Sequence, residues 1–146
     1  MSNNWWKELS GVIRYYVKPY NITLNTIASQ LDQIKKRGFN IIEIMCPYEG
    51  PDDIWAGLGA TNNYNIEPKI GTMEDFKNLI KQCHERGMKL IFFGNLGYAR
   101  DTAPFFLKAC DDYKNNVYSK ERMWFHFGTT GGDRWYWSER AGAYYY

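Results

Sequence analysis

Two stretches of helical period, each closed by a glycine and joined by a two-residue turn to a short β-branched run, constrain this chain more than any other feature. Leu24, Ile27, Ala28, Leu31 and Ile34 recur at helical spacing, Lys35, Lys36 and Arg37 suit the negative end of the helix dipole, and Gly38 can take the left-handed cap. The spacing predicts a helix ending at Arg37. Thr72-Met73-Glu74-Asp75 reads as a capping box, with Met73, Phe76, Leu79, Ile80 and Cys83 as the apolar stripe and Gly87 as the stop. Around these helices lie Val12–Val17, Asn40–Met45 and Lys89–Phe93, short runs rich in β-branched or aromatic residues. The order βαβαβ predicts an α/β fold of parallel strands with right-handed crossovers, part of a barrel or of a doubly wound sheet.

Loop lengths point to a functional face. The helix-to-strand turns Gly38-Phe39 and Gly87-Met88 are minimal, whereas residues 46–71 run without a sustained apolar period and are punctuated by Pro47, Gly50, Pro51, Gly57, Gly59 and Pro68. Ligands of parallel α/β folds bind beyond the carboxyl ends of the strands, where long loops collect. Tyr48, Trp55, Tyr64 and Tyr98 fall on that side, and flat rings there can either pack the loops or stack on the CH face of a sugar. The candidate substrate contacts are Tyr48, Trp55, Asn95 and Tyr98.

Residues 1–93 are expected to hold three strands and two helices, and residues 94–146 a largely irregular loop and insertion. That second part is rich in rings: of 26 Trp, Tyr and Phe in the 146 residues, 11 lie between Asp111 and Tyr146.

Other classes of function find little support. Eighteen basic against sixteen acidic residues leave a net charge of +2, too small for a surface that tracks nucleic-acid phosphates. No segment approaches the roughly 20 apolar residues of a membrane span. Cys46, Cys83 and Cys110 are odd in number and form no CxxC pair, which predicts buried structural thiols in a reducing cytoplasm. His84 and His126 stand in no His-x-x-His pattern, the carboxylates form no metal-spaced cluster, and neither a metal nor a cofactor is expected. The run Gly128-Thr-Thr-Gly-Gly-Asp133 lacks the Gly-Lys-Ser/Thr of a phosphate loop and reads as a flexible loop.

Three stretches carry a family resemblance: Ile34-Lys-Lys-Arg-Gly-Phe-Asn-Ile-Ile-Glu-Ile44, Tyr64-Asn-Ile-Glu-Pro-Lys-Ile-Gly-Thr-Met-Glu-Asp-Phe76, and Cys83-His-Glu-Arg-Gly-Met-Lys-Leu-Ile91. Together with Pro47-Tyr48-Glu49-Gly50-Pro51, they make the chain from about residue 11 to 98 resemble the α-amylase family of glycoside hydrolases, which are (β/α)8 TIM barrels. The resemblance implies the first three βα units of such a barrel, followed by the aromatic-rich insertion the family places after its third strand.

The same resemblance implies hydrolysis or transfer of α-glucosidic bonds in carbohydrate metabolism. The retaining mechanism uses one carboxylate as nucleophile and a second as acid, about 5–5.5 Å apart. In the family these groups come from strands four and five, with a third acid near strand seven. By strand count this chain is expected to be a fragment that lacks them and is inactive alone, with a carbohydrate substrate and the remainder of the barrel as its expected partners. Glu43, Glu49, Asp52, Asp53 and Asp101 match none of the catalytic motifs. Two departures also stand out. Where the family has Asp-x-Val-x-Asn-His, the chain reads Phe93-Gly-Asn-Leu-Gly-Tyr98, and Leu58 replaces the stacking Tyr of Gly-Tyr-Asp. They leave open a non-catalytic relative that binds a carbohydrate or a partner on the same scaffold. A small flavodoxin-like ligand binder would explain the βαβαβ order without truncation, but no phosphate loop supports it.

Overall fold

The computed structural model describes residues 4–51 and 55–146, apart from the side chains of Trp5 and Trp55. It divides into two compact units, Met1–Tyr98 and Ala99–Tyr146.

In the first unit the strands β1 (Val12–Tyr15), β2 (Ile41–Met45) and β5 (Lys89–Phe93) form one parallel sheet in the order β1-β2-β5. Between β2 and β5 the long connection contains a short antiparallel pair, β3 (Tyr48–Glu49) with β4 (Asn62–Ile66). The helices are α1 (Leu24–Lys36) and α2 (Met73–Glu85). The βαβαβ order and the positions of all five elements match the expectation within two residues. Within that margin β1 ends at Tyr15, and Val17 lies past its end, buried against the core.

Each helix starts where a side chain can satisfy its first amides. Thr23 accepts a hydrogen bond from the Thr26 amide at 3.1 Å. Thr72 accepts from the Asp75 amide at 3.1 Å while the Asp75 carboxylate accepts from the Thr72 amide at 2.8 Å, closing the capping box. Two further bonds to that carboxylate, from the Thr72 hydroxyl and from Asn25 on α1, help to hold it below the usual carboxylate range, the Thr72 hydroxyl contributing most. The α1 stripe Leu24, Ile27, Ala28, Leu31 and Ile34 is buried and packs with Ile42, Ile44, Leu79, Cys83 and Met88 into one core. Arg86 ties the helices by a bidentate grip on Asp32, with Nε at 2.8 Å.

Burial differs sharply across the sheet. Every residue of β2 is buried, whereas β1 and β5 are partly bare and Ile91, Phe92 and Phe93 are exposed. A parallel strand is stable when both faces are covered and both edges paired, and only β2 has both neighbours here.

The second unit corrects one expectation. The stretch after Phe93 is not largely irregular: it contains α3 (Pro104–Lys114), α4 (Lys120–Met123) and an antiparallel sheet of β6 (Phe127–Gly128), β7 (Tyr136–Ser138) and β8 (Ala143–Tyr145) in the order β6-β8-β7. Pro104 starts α3 at a position that needs no amide donor, and Phe106, Ala109 and Cys110 form its buried stripe. Phe106 meets Phe125 edge-on at 5.0 Å and Tyr145 at 4.8 Å, so aromatic rings make this core. The glycine run is not a free loop either. A Cβ on Gly131 would come within 2.7 Å of the Tyr144 ring, and one on Gly128 within 3.3 Å of the Trp135 ring. These glycines are the floor on which two aromatic side chains lie.

Candidate functional site

The three parallel strands all end on the same side of the sheet, at Tyr15, Met45 and Phe93, and the segments that follow them make the candidate site. Past β1 the chain passes through Val17 and Lys18, both buried despite the charge on the second. Past β2 it turns sharply at Cys46, whose φ of 46° is rarely adopted by a residue with a side chain. The Cys46 amide still donates to the Phe93 carbonyl at 3.1 Å, which extends the β2–β5 ladder to the site.

Tyr48 is only 5% exposed, and the Lys18 ammonium lies 4.9 Å from its ring centroid. The ring is therefore packed, and its stacking face is not open to a sugar. Its hydroxyl is buried with no partner at hydrogen-bond geometry. Burial above all, then the Cys46 thiol, pushes this phenol well above its ordinary range, partly offset by the nearby Asn95 backbone. The structure thus brings Tyr48 and Asn95 together. Asn95 itself accepts the Gly97 amide at 3.0 Å, tightening the turn after β5 that presents Tyr98, 67% exposed. The backbone of Trp55 opens a 3-10 turn, Trp55–Gly57, and its side chain lies outside the described residues. Tyr64 is almost fully exposed on β4.

Three carboxylates of the first unit near this face have structural partners. Glu43 pairs with Arg14 at 2.6 Å, and Glu49 accepts from the side-chain amides of Asn65 and Asn62 at 3.2 and 3.4 Å. Glu67 accepts the Gly50 amide at 2.9 Å. Asp52 and Asp53 lie outside the described residues. Beside this face a cavity of about 310 Å³ is lined by Lys18, Glu49, Thr61, Glu67 and Lys69, with charges of both signs. Among the described residues no cluster of His, Cys, Asp and Glu could hold a metal ion, and no helix is long and apolar enough to cross a membrane.

Lys18 is the residue that sequence reasoning missed. Its ammonium donates to the Gly50 and Gly57 carbonyls, each at 3.2 Å, so one side chain fastens two points of the 46–71 connection. A lysine after a strand reads as surface, because lysine is almost never fully buried unless paired. The one local signal is Gly57, which must lack a side chain where Lys18 passes.

The description "Alpha amylase, catalytic domain" fits residues 20–146 as a family model. The chain belongs to the α-amylase family. Within that family it is 31% identical to the probable oligo-1,6-glucosidase 2 of Bacillus subtilis strain 168, over 99% of this chain and 28% of that protein. It is 26% identical to the oligo-1,6-glucosidase of Parageobacillus thermoglucosidasius, with the same coverages of 99% and 28%. Among solved structures, the trehalose-6-phosphate hydrolase of Bacillus licheniformis superposes with a TM-score of 0.83 at 23% identity, covering 98% of this chain and 28% of that one. The chain thus spans a little over a quarter of the length of these family members. Its β1-β2-β5 sheet with α1 and α2 is the α-amylase-family barrel in part, three strands of the eight with two of their helices.

Proposed function

We propose that this chain is the N-terminal barrel segment of an α-glucosidase-type enzyme that cleaves α-glucosidic bonds of oligosaccharides, with the catalytic carboxylates supplied by later strands. The observation that carries the reading is the 31% identity to a probable oligo-1,6-glucosidase along 99% of the chain. The partners of the carboxylates support the division of labour: Glu43 and Glu49 are engaged by Arg14 and by two asparagines, so neither is placed as a nucleophile or proton donor.

In this reading the chain binds and orients. Tyr98 offers an exposed ring at the end of β5, Asn95 shapes the turn beneath it, Trp55 belongs to the loop that faces the sugar, and the buried Tyr48 supports that face from within without touching the sugar. Unit Ala99–Tyr146 is the small domain inserted after the third strand. The bare edge and face of β5 support the remainder of the barrel as its structural partner, and three buried free thiols support a cytoplasmic location.

The replacement of the family's Asp, Asn and His by Phe93, Gly97 and Tyr98 favours a second reading, a non-catalytic carbohydrate binder. Both are tested on the full-length protein with isomaltose, maltooligosaccharides and an aryl α-glucoside. Hydrolysis establishes the first reading, and calorimetric binding without turnover establishes the second. Neither turnover nor heat at millimolar sugar overturns both.

A further inference from the structure

Lys18 is 1% exposed, among the most deeply buried large side chains of the described residues, and it is charged. Burying an ammonium is costly unless its donors are taken up, and here they reach two carbonyls, of Gly50 and Gly57, 32 and 39 residues further along the chain. Its charge also lies over the Tyr48 ring, an attraction that strengthens when both groups are dry. The connection it fastens is not a relaxed one. Cys46 and Ala56 have φ of 46° and 58°, a left-handed backbone that costs non-glycine residues energy and persists only where the surroundings impose it. Gly57 has φ of 73°, and a Cβ there would come within 2.8 Å of Lys18 Cδ. The lysine stem and this glycine therefore fit each other.

We propose that Lys18 is a positioning residue: its buried ammonium holds the backbone at Gly50 and Gly57 and thereby keeps the left-handed turns at Cys46 and Ala56 and the packed position of Tyr48 at the candidate site. Its effect runs through the loop and not through contact with sugar. The part of this that concerns sugar rests on the glycosidase reading above, and the part that concerns loop shape does not.

The experiment is hydrogen exchange by mass spectrometry on the full-length protein, comparing wild type with Lys18→Met, which keeps the stem and removes the charge, and with Gly57→Ala, which pushes the lysine aside. Each substitution is expected to speed exchange in peptides covering residues 46–61 by tenfold or more while leaving α1 and α2 unchanged, and the double variant to add little to either. In turnover, Lys18→Met should raise KM for an α-glucoside several-fold more than it lowers kcat. Unchanged exchange overturns the proposal. So does acceleration spread evenly over α1 and α2, which would make Lys18 an ordinary member of the core. If Lys18→Met does not fold, Gly57→Ala decides by the same criteria. Local loosening in a protein without activity toward α-glucosides refutes the glycosidase reading and leaves the loop pin standing.

Discussion

Arg14 and Glu43 are register partners on β1 and β2, and their side chains meet at 2.6 Å between Nε and Oε2. Glu43 sits in the middle of a strand whose every residue is buried, so its carboxylate is held by this cation, while Arg14 remains half exposed. The hydrogen bond to Glu43 raises the Arg14 guanidinium further above its ordinary range. Removing one partner of such a pair leaves a carboxylate in a dry place, whereas replacing both does much less harm. Arg14→Met is expected to lower the melting temperature by on the order of 5 °C. Adding Glu43→Gln to it should return part of that loss, and a double variant melting below Arg14→Met would refute this account.

The capping box of α2 gives a prediction in acid. Thr72→Ala should cost about 1 kcal/mol in urea denaturation at neutral pH. The Asp75 carboxyl is held below its ordinary value by the Thr72 hydroxyl first and the Thr72 amide second. Its contribution is therefore present above the unfolded value of about 3.9 and lost as pH falls through the lower folded value. The stability gap between wild type and Asp75→Asn should close below about pH 4. A gap that persists at pH 2 would show the carboxylate's charge to be irrelevant.

Alkali should act through Cys83. Burial pushes this thiol up to about 11, partly opposed by Arg86. The folded state prefers the protonated form, so the stabilisation is complete below the unfolded value of about 8.5 and is lost as pH rises toward the folded one. Urea midpoints measured from pH 8 upward should fall less steeply in Cys83→Ala than in wild type. At neutral pH all three thiols should react with a bulky disulfide reagent only after unfolding, since each is buried.

In the second unit, Phe106→Ala removes a ring that touches both Phe125 and Tyr145. About 3 kcal/mol is the expected loss of stability. Loss of near-ultraviolet dichroism from the aromatic cluster, with the far-ultraviolet signal retained, would show that packing rather than secondary structure has failed.

Tyr98→Ala tests the exposed ring at the end of β5. If the full-length protein is the glycosidase proposed above, the expected result is a KM raised about tenfold with kcat little changed, the signature of lost binding shared by ground and transition states. An unaltered KM would remove Tyr98 from the site.

What could be read from the sequence was what repeats. The α1 stripe, the Thr72 capping box and the buried run of β2 are local patterns, and each formed where its pattern stands. The β3–β4 pair escaped because its register shifts between Tyr48 and Glu49 and β4 alternates no apolar residues, so it has no period to detect. Helix α3 escaped for a different reason. Its signal, a proline followed by Phe106, Ala109, Cys110 and Tyr113 at helical spacing, was present but lay inside a region dominated by aromatic and glycine content. In the site, Asn95 and Tyr98 sit on the expected face, while Tyr48 turned inward. Its ring lies under Lys18, which is 30 residues away in sequence and whose position no local pattern encodes.

The strands stand in the sheet in the order in which they are made: β1, then β2 beside it, then β5 on the far side of β2. Each new strand can add to the free edge of the last without being threaded between two that are already paired. A chain leaving the ribosome can therefore build this sheet outward from one side, with domains folding from their N-terminal ends as synthesis proceeds. Both outer strands of the sheet keep an edge without a neighbour among the described residues, and on β5, the last to be made, Ile91, Phe92 and Phe93 are exposed.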